Sequence, residues 1–279
     1  EAAASSGELE CLRYLHEHGC PWNEDACLFA AAQGHLPCLQ YLHEHGCPWN
    51  KDACESAANS GYLECLRYLH EHGCPWTEDT CALALENGKA LNLTGGYHHA
   101  FANYGSGFCM VNDLYLTALE MLQSPTIDKV LIFDCDVHQG DGTALLASKD
   151  NDIFTVSIHG EKNFPHRKQV SNIDIGLAKG TGDDEYLETV DSALHLAFVQ
   201  AQPDAVIYDA GVDIHINDDL GHLDITTKAV RARDEIVFAK CDDAGIPVAA
   251  VIGGGYQRDI DALVDVHLQL FLAAGVACR

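Results

Sequence analysis

Lys129-Val-Leu-Ile-Phe-Asp-Cys-Asp-Val-His138 is the stretch on which the fold turns. Its first five residues carry an apolar run that reads as a buried β-strand. Asp134, Asp136 and His138 follow at a spacing of two, so a chain that stays extended carries all three side chains on one face. They stand at the strand's carboxyl end, where open α/β sheets place their sites. A single acid there would be an ordinary solvated exit from a strand. With His138, Gly140 and Asp141 following, the group reads as a metal site.

Outward from this strand, short β-prone runs alternate with longer helical patterns. Further strands are expected at Ala90–Leu93, Ile153–Ile158, Ala205–Tyr208 and Val248–Ile252. Helices are expected at Met110–Leu122, Asp184–Gln200, Thr226–Ala244 and Arg258–Ala274. Such alternation implies a parallel sheet flanked by helices, here over residues 89–279.

Three other points add chemistry. Asp213 follows the apolar run Ala205–Tyr208 after a short glycine-containing turn, at another strand end, and can supply a third metal ligand; His215 and His222 compete for that role. The pair His98-His99 permits an acid–base arrangement, with Asp134 and Asp141 as candidate carboxylate partners that fix a tautomer and raise basicity. Tyr256, after three glycines, has a phenol that stays protonated near neutrality and can donate to a developing oxyanion. Zinc accepts carboxylate and imidazole ligands, and a catalytic site keeps a coordination position open for water. The set therefore points to a metal-dependent amidohydrolase. A phosphate cradle at Gly253-Gly254-Gly255 is the weaker reading, because no Lys-Ser/Thr follows.

The first third of the chain is built differently. Cys-Leu-Xaa-Tyr-Leu-His-Glu-His-Gly-Cys-Pro-Trp occurs at 11–22, 38–49 and 65–76, a period of 27 that marks a helical repeat array over residues 1–88. Asn23, Asn50 and Thr77 stand where N-caps are expected. Helices Leu36–His45 and its equivalents should stop at the following glycine. The pattern resembles the ankyrin helix-turn-helix unit, and its last copy fades over Cys81–Lys89. Zinc binding by the His-Glu-His-Gly-Cys runs is disfavoured, since residues two apart on a helix face different ways. The cysteines read as small buried side chains rather than disulfides, which implies a reducing compartment, cytoplasmic or nuclear.

A formal charge of −26 argues against direct nucleic-acid binding, which needs clustered Lys and Arg, and favours cationic substrates. No apolar stretch approaches the ~18 residues of a membrane span, so no membrane association is expected.

From about residue 88 to 275 the chain resembles the histone deacetylase family, in the style of its class IV and bacterial branches. The matching stretches are Gly95-Gly-Tyr-His-His-Ala-Phe101, Gly105-Ser-Gly-Phe-Cys109, Asn112-Asp113 and Asp134-Cys-Asp-Val-His-Gln-Gly-Asp-Gly142. Ser157-Ile-His-Gly160, Gly180-Thr-Gly-Asp183, Ala210-Gly-Val-Asp213 and Gly253-Gly-Gly-Tyr256 continue the match in order. The resemblance implies the arginase-deacetylase fold and hydrolysis of Nε-acyl-lysine or a related acetylated amine. It implies that Asp136, His138 and Asp213 hold zinc. It makes His99 the general base, oriented by Asp141, and His98 its electrostatic partner, oriented by Asp134. Tyr256 would polarise the substrate carbonyl, while Gly107, Phe108 and Phe164 line the substrate tunnel. A monovalent cation, K⁺, is implied near Asp134 and Ser157.

Two functions follow. The first is a zinc deacetylase joined to a repeat array that binds a protein partner. The second is an interaction module whose repeats carry an inactive, N-terminally truncated deacetylase remnant, because repeats occupy the place of the family's first strands. On either reading Ala90–Leu93 should form a sheet edge, covered by the repeat helix at 79–87, and residues 89–279 alone should be less soluble and less stable than the whole chain.

Overall fold

The computed structural model describes residues 2–60, 62, 64–65, 68–69, 72–74 and 88–275. Gly61, Thr77, the fading repeat over 81–87 and the expected edge-covering helix at 79–87 lie outside the described residues. The chain divides into two compact units, residues 1–87 and 88–279.

Among the described residues the first unit is helical: α1 Ala2–Ser5, α2 Leu9–Glu17, α3 Glu24–Ala32, α4 Leu36–Glu44 and α5 Lys51–Asn59. Its core combines Leu12, Leu39 and Leu42 with small residues, Ala30, Ala31, Ala53, Cys27 and Cys38 among them, so that helices of successive repeats can approach closely. The repeated Gly-Cys pair ends the second helix of each repeat. Gly46 takes φ +79, its N–H donates to His43 O (3.0 Å), and the Cys47 N–H donates to Leu42 O (2.9 Å). This is a Schellman closure that requires glycine at the left-handed position. Asn50 caps α5 by accepting from Asp52 N (3.0 Å). Asn23 occupies the same place before α3, but its side chain makes no cap and donates instead to Asp25 Oδ2 (2.9 Å).

In the first two His-Glu-His runs the leading histidine is held by aromatic rings. His16 stacks on Trp22 (4.0 Å) and its Nδ1 lies 3.0 Å from Tyr41 Oη of the next repeat. His43 repeats this with Trp49 and Tyr68. Among the described residues, no metal-capable group lies in this unit.

The second unit is one parallel sheet, in the order β1-β6-β5-β2-β3-β4, flanked by helices. The strands are β1 Lys89–Asn92, β2 Val130–Asp134, β3 Ile153–Gly160, β4 Ile173–Leu177, β5 Ala205–Asp209 and β6 Val248–Val251. The helices are α6 Asp113–Met121, α7 Asp141–Ala147, α8 Asp183–Ala201, α9 Thr227–Ala244 and α10 Ile260–Ala273. β2 and β5 are buried along their whole length, as their unbroken apolar runs demand. β1 pairs with β6 and, among the described residues, ends the sheet, as expected of Ala90–Leu93.

Two elements escape the sequence pattern. β4, Ile-Asp-Ile-Gly-Leu, is a half-exposed edge strand carrying Asp and Gly, both poor strand formers. α7 has seven residues, too few for a helical period to show. The helix expected from Met110 starts at Asp113, because Asn112 caps it by accepting from Tyr115 N (2.9 Å); Met110 and Val111 are exposed.

Candidate active site

The loops after β1, β2, β5 and β6 meet at the carboxyl end of the sheet. The chain bends immediately after β2, so Asp134, Asp136 and His138 do not form one extended row. Each carboxylate caps the next residue but one: Asp136 N donates to Asp134 Oδ1 (3.0 Å) and His138 N to Asp136 Oδ1 (2.9 Å). The bend splits the motif between two groups. Asp136 and His138 join Asp213; Asp134 joins His98 and Asp209. In each group the potential ligand atoms lie within 4.8 Å of one another, and all six residues are buried.

In the first group His138 Nδ1 lies 3.0 Å from Asp136 Oδ1 and 2.9 Å from Asp213 Oδ2. Asp213 Oδ1 also accepts from Val137 N (2.8 Å), and Asp136 Oδ2 from Gly254 N (2.9 Å). Glycine is needed at 254, because a Cβ there would come within 2.6 Å of both Asp136 Oδ2 and Asp213 Oδ2. Burial and the charge of Asp136 push the Asp213 carboxyl up to about 7. Burial would depress His138, yet its hydrogen bonds to Asp136 and Asp213 raise it to about 10. Two buried carboxylates thus converge on one imidazole nitrogen and hold a proton there. Carboxylate and imidazole donors converging on a positive charge fit a zinc ion. Neither competing candidate joins the group, and His215 Nε2 lies 3.0 Å from Thr227 Oγ1.

Beside it stand two histidine–carboxylate dyads. His98 Nδ1 donates to Asp134 Oδ2 (2.8 Å) and His99 Nδ1 to Asp141 Oδ1 (2.6 Å), leaving the two Nε2 atoms 3.1 Å apart. Burial alone would depress His98, but the charges of Asp134 and Asp136 hold it well above the ordinary histidine range. Burial and the neighbouring His98 charge hold His99 below that range. The two imidazoles are thus unequal, with the charged form favoured at His98 and disfavoured at His99.

Tyr256 N donates to Asp218 Oδ2 (2.7 Å), and its ring lies 6.1 Å from those of His138 and Phe108. Burial and the Asp136 and Asp213 charges raise its phenol, so it remains a donor at neutral pH. Phe164 meets His99 edge-on at 4.8 Å. Gly107, at φ +50, packs on the His99 ring, where a Cβ would collide with Cδ2. Phe108 and Phe164 are 85% and 38% exposed, as residues at the mouth of a site would be.

Some supporting residues were not assigned a role from sequence. Asn112 Nδ2 lies within 3.3 Å of the carbonyls of His98 and Ala100 and of Thr143 Oγ1, tying the histidine loop to α7. Asp113 accepts from Gly96 N (3.1 Å) and Tyr97 N (2.7 Å). Asp209 is fully buried, 3.9 Å from His98 Nδ1, with no hydrogen-bond partner for either oxygen among the described residues. The available signal was that Asp209 ends β5 as Asp134 ends β2, and the two are paired in register.

Comparison with known proteins agrees with this geometry. The histone deacetylase domain model matches residues 32–270, and an ankyrin-repeat model matches residues 1–43. An uncharacterized protein of Picosynechococcus sp. is 48% identical over 68% of this chain and 63% of its own length. Histone deacetylase 2 of Arabidopsis thaliana is 35% identical over 62% of this chain and 46% of its own. The acetoin utilization protein AcuC of Bacillus subtilis is 33% identical over 60% and 46%. The chain thus spans less than two thirds of the length of these relatives. A solved acetylpolyamine aminohydrolase of Burkholderia pseudomallei shares the fold, with a TM-score of 0.61 and 23% identity over 71% of this chain and 60% of that one. The chain belongs to the histone deacetylase domain family, with ankyrin repeats at its N-terminus.

Proposed function

We propose that the protein is a zinc-dependent deacetylase that hydrolyses Nε-acyl-lysine or a related acetylated amine. The observation that carries this reading is the convergence of a buried Asp-His-Asp group with two unequal histidine–carboxylate dyads. Asp136, His138 and Asp213 would hold the zinc. When bound, zinc supplies Lewis acidity toward the acyl carbonyl and the attacking water. The Asp141 bond fixes the His99 tautomer with its proton on Nδ1, so Nε2 can accept the water's proton and later deliver it to the departing amine. His98, oriented by Asp134, keeps its own proton and thereby keeps His99 neutral between turnovers. The Tyr256 hydroxyl donates to the oxygen of the acyl carbonyl as negative charge grows there. Gly107, Phe108 and Phe164 shape the walls around the acyl-bearing chain. The net result is cleavage of the C–N bond, giving a carboxylate and a free amine.

The charge of −26 supports a cationic substrate, such as a lysine-rich protein tail or an acetylpolyamine. A K⁺ ion near Asp134 and Ser157, which are paired in register, belongs to the same proposal. The repeats are proposed to bind a protein partner, and their buried thiols suit a reducing compartment. No described helix is long and apolar enough to cross a membrane.

The alternative is an interaction module whose repeats carry an inactive deacetylase remnant. Metal content and acetate release from an acetyl-lysine peptide and from N-acetylputrescine decide between them. One zinc per chain with release supports the enzyme; bound zinc with no release from either substrate supports the remnant.

A further inference from the structure

Arg233, on α9, is fully buried and is not among the residues that the proposed chemistry uses. A buried guanidinium is tolerated only when its charge and its donors are matched. Its Nε donates to Asp234 Oδ1 (2.9 Å), an oxygen that also accepts from Tyr208 Oη (2.6 Å). The fork also reaches backbone: Nη1 donates to Gly211 O (2.6 Å), and Nη2, itself 2.8 Å from Asp234 Oδ1, donates to Ala210 O (3.0 Å). Two successive carbonyls are thus turned toward one cation. They belong to the turn that links Asp209 to Asp213.

That turn touches the candidate metal ligands directly. A Cβ on Gly211 would lie 2.6 Å from Asp136 Oδ2, so this peptide forms the wall against which Asp136 rests. One residue on, Val212 N donates to Gly254 O (2.7 Å), and Gly254 N donates to Asp136 Oδ2. Asp213 then accepts from Val137 N, between Asp136 and His138. The peptide planes of 210 and 211 therefore set both the reach of Asp213 and the position of Asp136.

We infer that Arg233 is a positioning residue for the Asp136–His138–Asp213 group: its planar fork locks the Ala210–Gly211 turn and so fixes the spacing of the two carboxylates. The inference rests on the reading of that group as a metal site. A lysine keeps the charge but cannot bridge two carbonyls and Asp234 with fixed geometry.

The test uses the full chain, stripped of metal by a chelator and titrated with Zn²⁺ and with Co²⁺, whose absorption bands report coordination geometry. Arg233→Lys is expected to weaken Zn²⁺ binding by about tenfold or more, the usual scale for residues that orient ligands. It should also alter the Co²⁺ spectrum and shrink the rise in melting temperature caused by metal. A merely structural arginine would lower the melting temperature of the metal-free chain but leave affinity and spectrum at wild-type values, which would overturn the inference. Asp234→Asn preserves shape and one acceptor oxygen while loosening the fork, and a threefold or larger loss of affinity is expected. Wild-type affinity in Asp234→Asn overturns the inference even where Arg233→Lys fails to fold. A wild-type chain that takes up no metal, or an Asp136→Ala chain that binds it normally, overturns the metal reading itself.

Discussion

Between His98 and His99 two imidazole nitrogens approach to 3.1 Å, and the carboxylates behind them, Asp134 and Asp141, are held by different elements. Adjacent residues of one type thereby receive opposite charge preferences, which suits the proposed division into a base and its electrostatic partner. Roles at this scale can be told apart by mutation. Asp136→Ala or Asp213→Ala should lose both metal and activity. His99→Ala should keep the metal and lose ~10² or more in turnover. Tyr256→Phe should keep the metal and lose rate on a similar scale, since its hydroxyl serves the transition state. Metal analysis beside turnover rates distinguishes these outcomes, and full activity in both His99→Ala and Tyr256→Phe would reject the mechanism. A pH dependence follows from the same residues. A metal binding at the proposed site would have to displace protons from His138, raised to about 10, and from Asp213, raised to about 7. Affinity should therefore rise with pH up to about 10, more steeply below about 7 where both groups are protonated, with proton release on binding. Calorimetry in buffers of different ionisation enthalpy measures that release, and a pH-independent affinity would contradict it.

At the level of elements, α7 works through close approach. Its Gly142 lies against the backbone of the histidine loop, where a Cβ would come within 2.7 Å of the His99 carbonyl carbon. Thr143 N donates to His98 O (3.0 Å), and Asp141, one residue before the glycine, orients His99. Gly142→Ala should push the helix away and displace the Asp141–His99 pair. A misplacement of about 1 Å can cost ~10² in rate, so a fall in kcat of at least tenfold is expected with metal affinity retained. Loss of metal together with rate would show that the helix supports the ligands instead.

The whole molecule contains two cores of different character. The repeat unit relies on alanine, cysteine and leucine packed between short helices, whereas the second unit relies on fully buried strands. Leu39→Ala, at a fully buried position of the repeats, should cost ~2–5 kcal/mol in that unit. Metal affinity of the second unit should stay unchanged. Denaturation followed by repeat tryptophans Trp22 and Trp49, together with zinc titration, checks both; a matching loss of metal affinity would show that the units depend on each other.

Much of this architecture was legible in the chain because it rests on local pattern. The 27-residue period, the Gly-Cys closures and the apolar runs of β2 and β5 are set by backbone sterics and burial, which act over short stretches. The residues of the site were legible as types at strand ends: acids, histidines and one tyrosine. Their grouping was implied by the family resemblance alone and not by their spacing. The bend after Asp134 sends it to His98 while Asp136 goes to Asp213, and spacing along the chain cannot show a bend held by hydrogen bonds from Val137, His138 and Gly254. Arg233 and Asp209 were equally hidden, because their importance comes from what surrounds them, a turned pair of carbonyls and a buried histidine. Sequence alone determined the period, the strands and the kinds of donor; only the tertiary structure decided which donors meet, because convergence depends on the packing of loops from strands far apart in the chain.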